Sequence, residues 1–514
     1  MSNFRVYTRA MTVTRTPGVP AIDEGSLIST NPASGEEVGR FPVASPDHLT
    51  VAVARARDAA AWWAGLEFAG RRRRLLAYRS LLANRIDELA ELMHREGGKP
   101  TADALVEAIA AVDHIAWAAQ HARKVLGRRR VSSSLLLKEH TSYLEYLPLG
   151  VVGVIGPWNY PVLTPMGSIA YALAAGNAVV FKPSEYTPAV GQWLVDRFAE
   201  VVPEQPVLQI VHGMGDVGAA LCRSGVDKIA FTGSTATGKK VMAAAAESLT
   251  PVLLECGGKD SMIVAADADL DAAAAACVWG GLTNAGQTCV GIERVYVADA
   301  VYDDFLGRVV SRAAKLQVGA DAGADIGPIT MPSQIDVIRR HIEDALTRGG
   351  RAVLGGAEAV RPPFVSPTIL VDVPEDAAAV QEETFGPTLT ITRVRDADEA
   401  VRLTNGTGYG LGGAVFAKSG GVDLARRIRS GMTSVNSALT FAGMPSLPFG
   451  GVGGSGFGRI HGEDGLREFT RPKAIVKRRG PTVLAAMTFD RTEKTMAQIV
   501  KVVRLVHGRS HQNS

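Results

Sequence analysis

The chain has 514 residues and carries 55 Lys and Arg against 52 Asp and Glu, a formal net charge of +3, with 46% hydrophobic residues. That balance excludes a disordered polymer and a supercharged nucleic-acid binder, and the length suggests two to four domains. The 55 glycines and 26 prolines follow no collagen-like period; glycine at this level in an α/β chain marks tight turns and close backbone approach to ligands.

Residues 1–22 contain Arg5, Arg9 and Arg15, no acid and no continuous apolar core. They read as part of a mobile arm over residues 1–25, not as a secretory leader. Residues 47–126 read as helical, with Leu75, Leu76, Leu81, Leu82, Ile86 and Leu89 at helical spacing. The run Arg71–Arg74 lacks aromatic or glycine interleaving, so it reads as a solvated helix face, and no nucleic-acid partner is expected. No apolar run reaches the length of about 18 residues that spans a bilayer.

From residue 148 short apolar runs alternate with helical stretches: Val151–Ile155, Ala178–Phe181, Leu208–Val211, Lys228–Phe231, Val252–Leu254 and Met262–Val264. Uninterrupted runs suit parallel strands buried on both faces, with helices over 187–201 and 235–249 as crossovers. This predicts a doubly wound α/β sheet, with ligands beyond the carboxyl ends of the strands. A second α/β set follows Asp267, with strands at Val295–Val297, Leu389–Thr392, Ala414–Phe416 and Thr433–Val435.

Several residues just after these runs carry chemistry. Asn159, in Gly156-Pro157-Trp158-Asn159-Tyr160-Pro161, is either a helix N-cap or an amide donor to an oxyanion. Lys182, in Lys182-Pro183-Ser184-Glu185, suits a ribose or phosphate. Gly213, Gly215 and Gly218 have the spacing of the dinucleotide fingerprint, a pattern frequent by chance. Gly233 to Lys239 approaches the nucleotide-triphosphate loop, but Lys240 stands where a magnesium-binding Ser or Thr belongs. A Gly- and Ser-rich helix start at Gly233-Ser234 still offers backbone donors to a pyrophosphate.

The four cysteines fit no zinc spacing and are too sparse for a disulfide scaffold, so a reducing compartment and no metal site are expected. Cys222 and Cys277 sit in Ala-rich helices and read as core. Cys289 lies in a polar break, Asn284-Ala285-Gly286-Gln287-Thr288-Cys289, as a nucleophilic thiolate requires. Glu255 could serve as base. Cys256 beside it competes for the nucleophile's role, and spacing does not choose between them.

These residues together resemble the aldehyde dehydrogenase superfamily from about residue 30 to 475. The likeness rests on Pro157-Trp158-Asn159-Tyr160-Pro161, Lys182-Pro183-Ser184-Glu185, Phe231-Thr232-Gly233-Ser234-Thr235 and Glu255-Cys256-Gly257-Gly258-Lys259. It continues through Gly286-Gln287-Thr288-Cys289, Glu383-Thr384-Phe385-Gly386-Pro387 and Pro448-Phe449-Gly450-Gly451. The resemblance implies that Cys289 attacks an aldehyde, that the Asn159 amide and the Cys289 N–H hold the oxyanion, and that hydride leaves for a nicotinamide. It implies that Glu255 then activates the water that hydrolyses the thioester. Ile155, Trp158, Lys182, Ser184, Glu185, Gly215, Gly218, Phe231, Gly233, Ser234, Thr237, Glu383 and Phe385 match cofactor-binding positions. Lys182 and Glu185 match the adenosine ribose, Gly215, Gly233 and Ser234 the pyrophosphate, and Glu383 with Phe385 the nicotinamide.

The implied domains are a cofactor domain (26–126 and 148–257), a catalytic domain (258–467) and a small β oligomerisation ribbon (127–147 and 468–480). A homodimer or homotetramer in the cytoplasm is expected. Glu185 would bind both ribose hydroxyls and repel a 2′-phosphate, so NAD is expected over NADP. The uncharged stretches Pro161–Gly167 and Leu439–Met444 point to a hydrophobic aliphatic or aromatic aldehyde. Parts of the chain, such as Asn284–Val297, instead resemble bacterial succinate-semialdehyde dehydrogenases. A CoA-acylating enzyme and a non-catalytic nucleotide-binding scaffold are also compatible with a chain of this kind.

The charge is uneven. Residues 471–514 hold ten Lys or Arg against Asp490 and Glu493, a net +8, which leaves −5 for residues 1–470 of a chain at +3. Within the tail (481–514), Met496, Ile499, Val500, Val503 and Val506 follow helical spacing. The two readings are a helix packed on the body or on a neighbouring subunit, and a basic amphipathic helix resting on an anionic membrane.

Overall fold

The computed structural model describes residues 18–134, 137–481 and 486–508. Most of the expected N-terminal arm, residues 1–17, lies outside these. Its last residues are not an arm: Ala21–Asp23 pairs antiparallel with Ser26–Thr30, which pairs in turn with Glu37–Pro42. Four helices follow, Pro46–Gly65, Glu67–Asn84, Ile86–Gly97 and Thr101–Leu126. Ser45 caps the first by accepting from His48 N. The third ends at Gly98 with φ of 72°, the left-handed stop that glycine adopts most readily.

The apolar runs of the middle of the chain are strands within one or two residues of their expected bounds. Val151–Ile155, Ala178–Lys182, Lys228–Thr232 and Val252–Glu255 are nearly all buried, as parallel strands covered on both faces must be. Leu208–Ile210 forms one edge, and Gly456–Phe457 pairs antiparallel on the other. The chain winds outward from Val151–Ile155 through Ala178–Lys182 to Leu208–Ile210, then returns to lay Lys228–Thr232 beside Val151–Ile155. That reversal opens a crevice past the carboxyl ends of Val151–Ile155 and Lys228–Thr232, where such sheets take ligands.

A second sheet of seven strands is centred on Asp260–Val264 and Ile292–Ala298, parallel except for the edge strand Arg351–Leu354. A third, antiparallel sheet joins Arg129–Val131, His140–Pro148 and Thr470–Arg478. The last helix, Glu493–His507, is capped by Thr492. Among the described residues no helix is long and apolar enough to cross a membrane.

Candidate active site

The crevice deepens into one cavity of about 1400 Å³. That exceeds the roughly 300–1,000 Å³ of a single small-ligand pocket and leaves room for two ligands end to end. The cavity is lined by every candidate site residue: Asn159, Glu255 and Cys289, and Ile155, Trp158, Lys182, Ser184, Glu185, Gly215, Gly218, Phe231, Gly233, Ser234, Thr237, Glu383 and Phe385.

The wall past the first sheet is built from strand ends and helix starts. Ser234 caps Thr235–Ala246 by accepting from Thr237 N at 3.2 Å, and Ala236 and Thr237 in that first turn face the cavity. A side chain on Gly233 would meet the Phe231 ring at 2.6 Å, so the backbone there comes close to the cavity only as glycine. Gly215 opens the helix Gly215–Cys222. The three-glycine spacing therefore follows an edge strand, not the central one that carries the usual dinucleotide fingerprint. Lys182, buried at its strand's end, lies 3.6 Å from Glu185, and burial lowers its pKa. Cys222, read from sequence as core alone, also touches this wall.

The residues near Cys289 are held by a tight turn. Asn284, Ala285 and Gly286 all have positive φ (52°, 57° and 70°), a run that two L side chains enter only at a cost. A Cβ on Gly286 would collide with the carbonyl of Gly386. Side chains lock the turn. Asp103 accepts from Thr283 Oγ1 and Asn284 N, and Gln287 Nε2 donates to Asn284 O while its Oε1 accepts from Thr330 N. Asn159 is not an N-cap: the next helix starts at Leu163 behind Val162. Its amide instead donates to Gln287 O at 2.9 Å. A primary amide has two protons, so one is left for a ligand. Tyr160 Oη pairs with Thr288 Oγ1 at 2.9 Å, fixing the residue before the cysteine.

The two cysteines at issue differ in surroundings. Cys256 also lines the cavity but is buried, and its Sγ packs against Gly238, 2.9 Å from where a Cβ there would sit. Cys289 is only partly buried. Burial raises the pKa of Cys289, and Glu383, Asp260 and Glu255 raise it further, against the N–H of Val290. Glu255, 3% exposed at the end of its strand, has no hydrogen-bond partner for either carboxylate oxygen among the described residues. Burial lifts its proton affinity well above the ordinary carboxylate range; Arg459 opposes this and Glu468 adds to it. Glu383 accepts from Gly258 N at 3.0 Å, and burial lifts its pKa to about 8. Trp158 and Phe385 meet edge to face at 5.5 Å beside it.

Sequence reasoning missed a supporting layer. Glu293 accepts from Lys259 Nζ, Thr384 N and Phe385 N. It thereby fixes the backbone of Glu383 and Phe385. A charged residue inside the apolar run Ile292–Ala298 was the available signal. Among the described residues no cluster of three His, Cys, Asp or Glu could hold a metal ion.

Known proteins resemble this chain in sequence and fold. The aldehyde dehydrogenase family model matches residues 21–475. The 4,4′-diapolycopene aldehyde oxidase of a Methylomonas species is 38% identical over 451 residues, 87% of this chain and 85% of that protein. A Mycobacterium ulcerans protein named for NADP(+)-linked succinate-semialdehyde dehydrogenase is 35% identical over 93% of both chains. The crystal structure of an NAD-dependent aldehyde dehydrogenase from Sinorhizobium meliloti superposes with a TM-score of 0.85 at 33% identity, covering 90% of this chain and 92% of that one. Its relatives thus include both NAD- and NADP-linked enzymes. The chain belongs to the aldehyde dehydrogenase family, as an α/β oxidoreductase acting on aldehydes with a nicotinamide dinucleotide.

Proposed function

We propose that the protein oxidises a hydrophobic aldehyde to its acid through a covalent Cys289 intermediate released by water. The observation that carries this reading is the convergence of Cys289, Asn159 and Glu255 on one cavity, with Glu255 unpartnered among the described residues. Cys289 Sγ adds to the aldehyde carbon as its proton leaves to a base. The free proton of the Asn159 amide and the backbone N–H of Cys289 stabilise the oxyanion. A nicotinamide held by the cavity residues would supply the hydride acceptor that this oxidation requires. Glu255, whose raised proton affinity makes it a better base than an exposed carboxylate, draws a proton from the water that hydrolyses the thioester. A ready base at this position favours water over CoA as acceptor.

The residues fit a dinucleotide. Gly233 and the first turn of Thr235–Ala246 would offer backbone donors to a pyrophosphate, Lys182 and Glu185 would hold the ribose, and Glu383 and Phe385 would flank the nicotinamide; all line the cavity. The Glu185 carboxylate would repel a 2′-phosphate, so NAD is the preferred cofactor. Kinetics with both cofactors test this; a higher kcat/KM with NADP contradicts it.

The other end of the cavity is apolar. Val106, Trp279 and Met444 line it while remaining partly open to solvent, and Leu163, Leu439 and Phe449 lie within. On its helical wall Asp103 is acidic, while the carboxylate of Glu107 is paired with the ammonium of Lys99. A carboxylate-bearing semialdehyde would be repelled there, so octanal or benzaldehyde should surpass succinic semialdehyde in kcat/KM. The reverse order refutes the hydrophobic assignment.

Two surface features extend this proposal. The exposed edge strand Thr470–Arg478 is the docking element of a homo-oligomer. Light scattering tests it, and a monomer contradicts it. The tail helix buries only Ile499 of its apolar stripe. Met496, Val500, Val503 and Val506 are exposed, and Phe489 just before it is 99% exposed. Arg491, Lys494, Lys501 and Arg504 flank them. Apolar and basic groups side by side match an anionic lipid surface. Full-length protein should sediment with anionic but not neutral vesicles, and Phe489→Ser with Lys501→Glu should abolish this. Equal sedimentation with both vesicle types, or with neither, refutes it.

A further inference from the structure

Beside the apolar end of the cavity lies a polar cluster that the proposed reaction does not use. His461 is 3% exposed, lines the cavity next to Phe449 and Ile460, and has no partner for either ring nitrogen among the described residues. Its ring packs against that of His114 at a tilt of 39°, with centroids 3.7 Å apart. His114, wholly buried in the helix Thr101–Leu126, has one ring nitrogen 3.1 Å from Ala442 O and the other unpartnered. Ala442 itself lines the cavity. Tyr171 closes the cluster: its ring lies 5.8 Å from His461, and its hydroxyl donates to Pro445 O.

The surroundings keep both imidazoles uncharged. Burial lowers the His114 pKa to about 4 and holds that of His461 well below the ordinary imidazole value, with the His114 ring adding to the effect on His461. A neutral imidazole must carry one N–H and one lone pair. Leaving such groups unpaired in a dry interior is costly, and a buried polar group without a partner calls for one. His461 is also held in place by unusual backbone, with φ of 62° ahead of the helix Gly462–Glu468. Gly167 clears space against it, since a Cβ there would lie 2.6 Å from His461 Nε2.

We infer that His461, backed by His114, is a specificity subsite for an uncharged oxygen, a hydroxyl or a carbonyl, carried by the hydrophobic aldehyde away from its reacting carbon. This rests on the assignment of the apolar end to the substrate. The neutral ring can donate to a carbonyl or hydroxyl oxygen, or accept from a hydroxyl. It offers no positive charge to a carboxylate, and the acidic Asp103 on the same wall disfavours one as well. A purely hydrocarbon tail would leave the imidazole as it stands, unpaired.

The test is a series of ω-hydroxy aldehydes of increasing chain length, each paired with its unsubstituted parent. At one chain length the hydroxyl should raise kcat/KM by about tenfold in the wild-type enzyme. His461→Phe should erase that advantage, read as the ratio of kcat/KM for the hydroxy aldehyde to that for its parent in the same variant. His461→Asn, which tolerates a positive φ and keeps a donor and an acceptor, serves if the phenylalanine variant does not fold, and should shift the favoured length. A hydroxyl advantage absent at every length, or equal in wild type and variants, overturns the subsite. The Cys289→Ala control separates the two readings: turnover that persists without the thiol discredits the proposed mechanism, whereas a missing hydroxyl advantage in an enzyme dependent on Cys289 discredits the subsite alone.

Discussion

Glu293 and Glu255 are both buried carboxylates, yet their surroundings are opposite. Glu293 is saturated: Lys259 Nζ and the N–H groups of Thr384 and Phe385 all donate to it. Glu255 accepts from none of the described residues, and a Cβ on Gly450 would lie 2.7 Å from its Oε1. One carboxylate is spent on holding a loop, and the other is left with its lone pairs for chemistry. Burial alone therefore does not mark a catalytic acid or base. What marks it is burial together with missing partners beside a cavity.

This contrast can be attacked from either side. Glu255→Gln should lower steady-state turnover by about 10²–10⁴-fold, the range for loss of a general base, while leaving thermal stability unchanged or raised, because an unpaired buried carboxyl is removed. Glu293→Gln should do the reverse. It should cost about 3–5 kcal/mol in denaturant unfolding by stranding the Lys259 ammonium, with loss of activity following from the loosened Glu383–Phe385 backbone. If both variants lose stability equally, the distinction between the two carboxylates fails.

Asn159→Ala should reduce kcat by about 10²–10³-fold with a smaller change in KM, as expected for one oxyanion donor. A change confined to KM would reassign Asn159 to a role in substrate binding alone. A subtler change concerns pH. Glu255 works as the carboxylate, so activity falls as pH drops through its raised pKa. Arg459, whose Cδ lies near the same Gly450 position as Glu255 Oε1, favours the ionised form. Arg459→Gln should therefore move the acid limb of the kcat profile to higher pH, and Arg459→Lys should restore it. An unmoved limb would detach Arg459 from Glu255.

The sheet, its winding and the cavity wall were legible because they depend on local apolar runs and on glycine at strand ends. The run Val151–Ile155 matches its strand to the residue. The choice of Cys289 over Cys256 needed the family resemblance, since spacing left it open; the structure adds that Cys256 packs against a helix glycine. Interactions between distant segments were not legible. The pairing of Glu293 with Lys259, the lock of Asp103 on Asn284 and the packing of His114 against His461 join residues far apart in sequence. The left-handed run Asn284–Gly286 was also hidden, because Ala285, unlike Asn284 and Gly286, gives no signal for a positive φ.

In the proposed cycle Cys289 forms the acyl enzyme and Glu255 hydrolyses it, so the two steps separate in time once the base is removed. Rapid-mixing measurement of NADH formation in Glu255→Gln is the decisive experiment. It should show a burst approaching one NADH per active site, followed by a slow steady rate, with no burst in Cys289→Ala. A Glu255→Gln enzyme whose slow NADH formation shows no burst would place the block before the thioester and contradict the role given to Glu255.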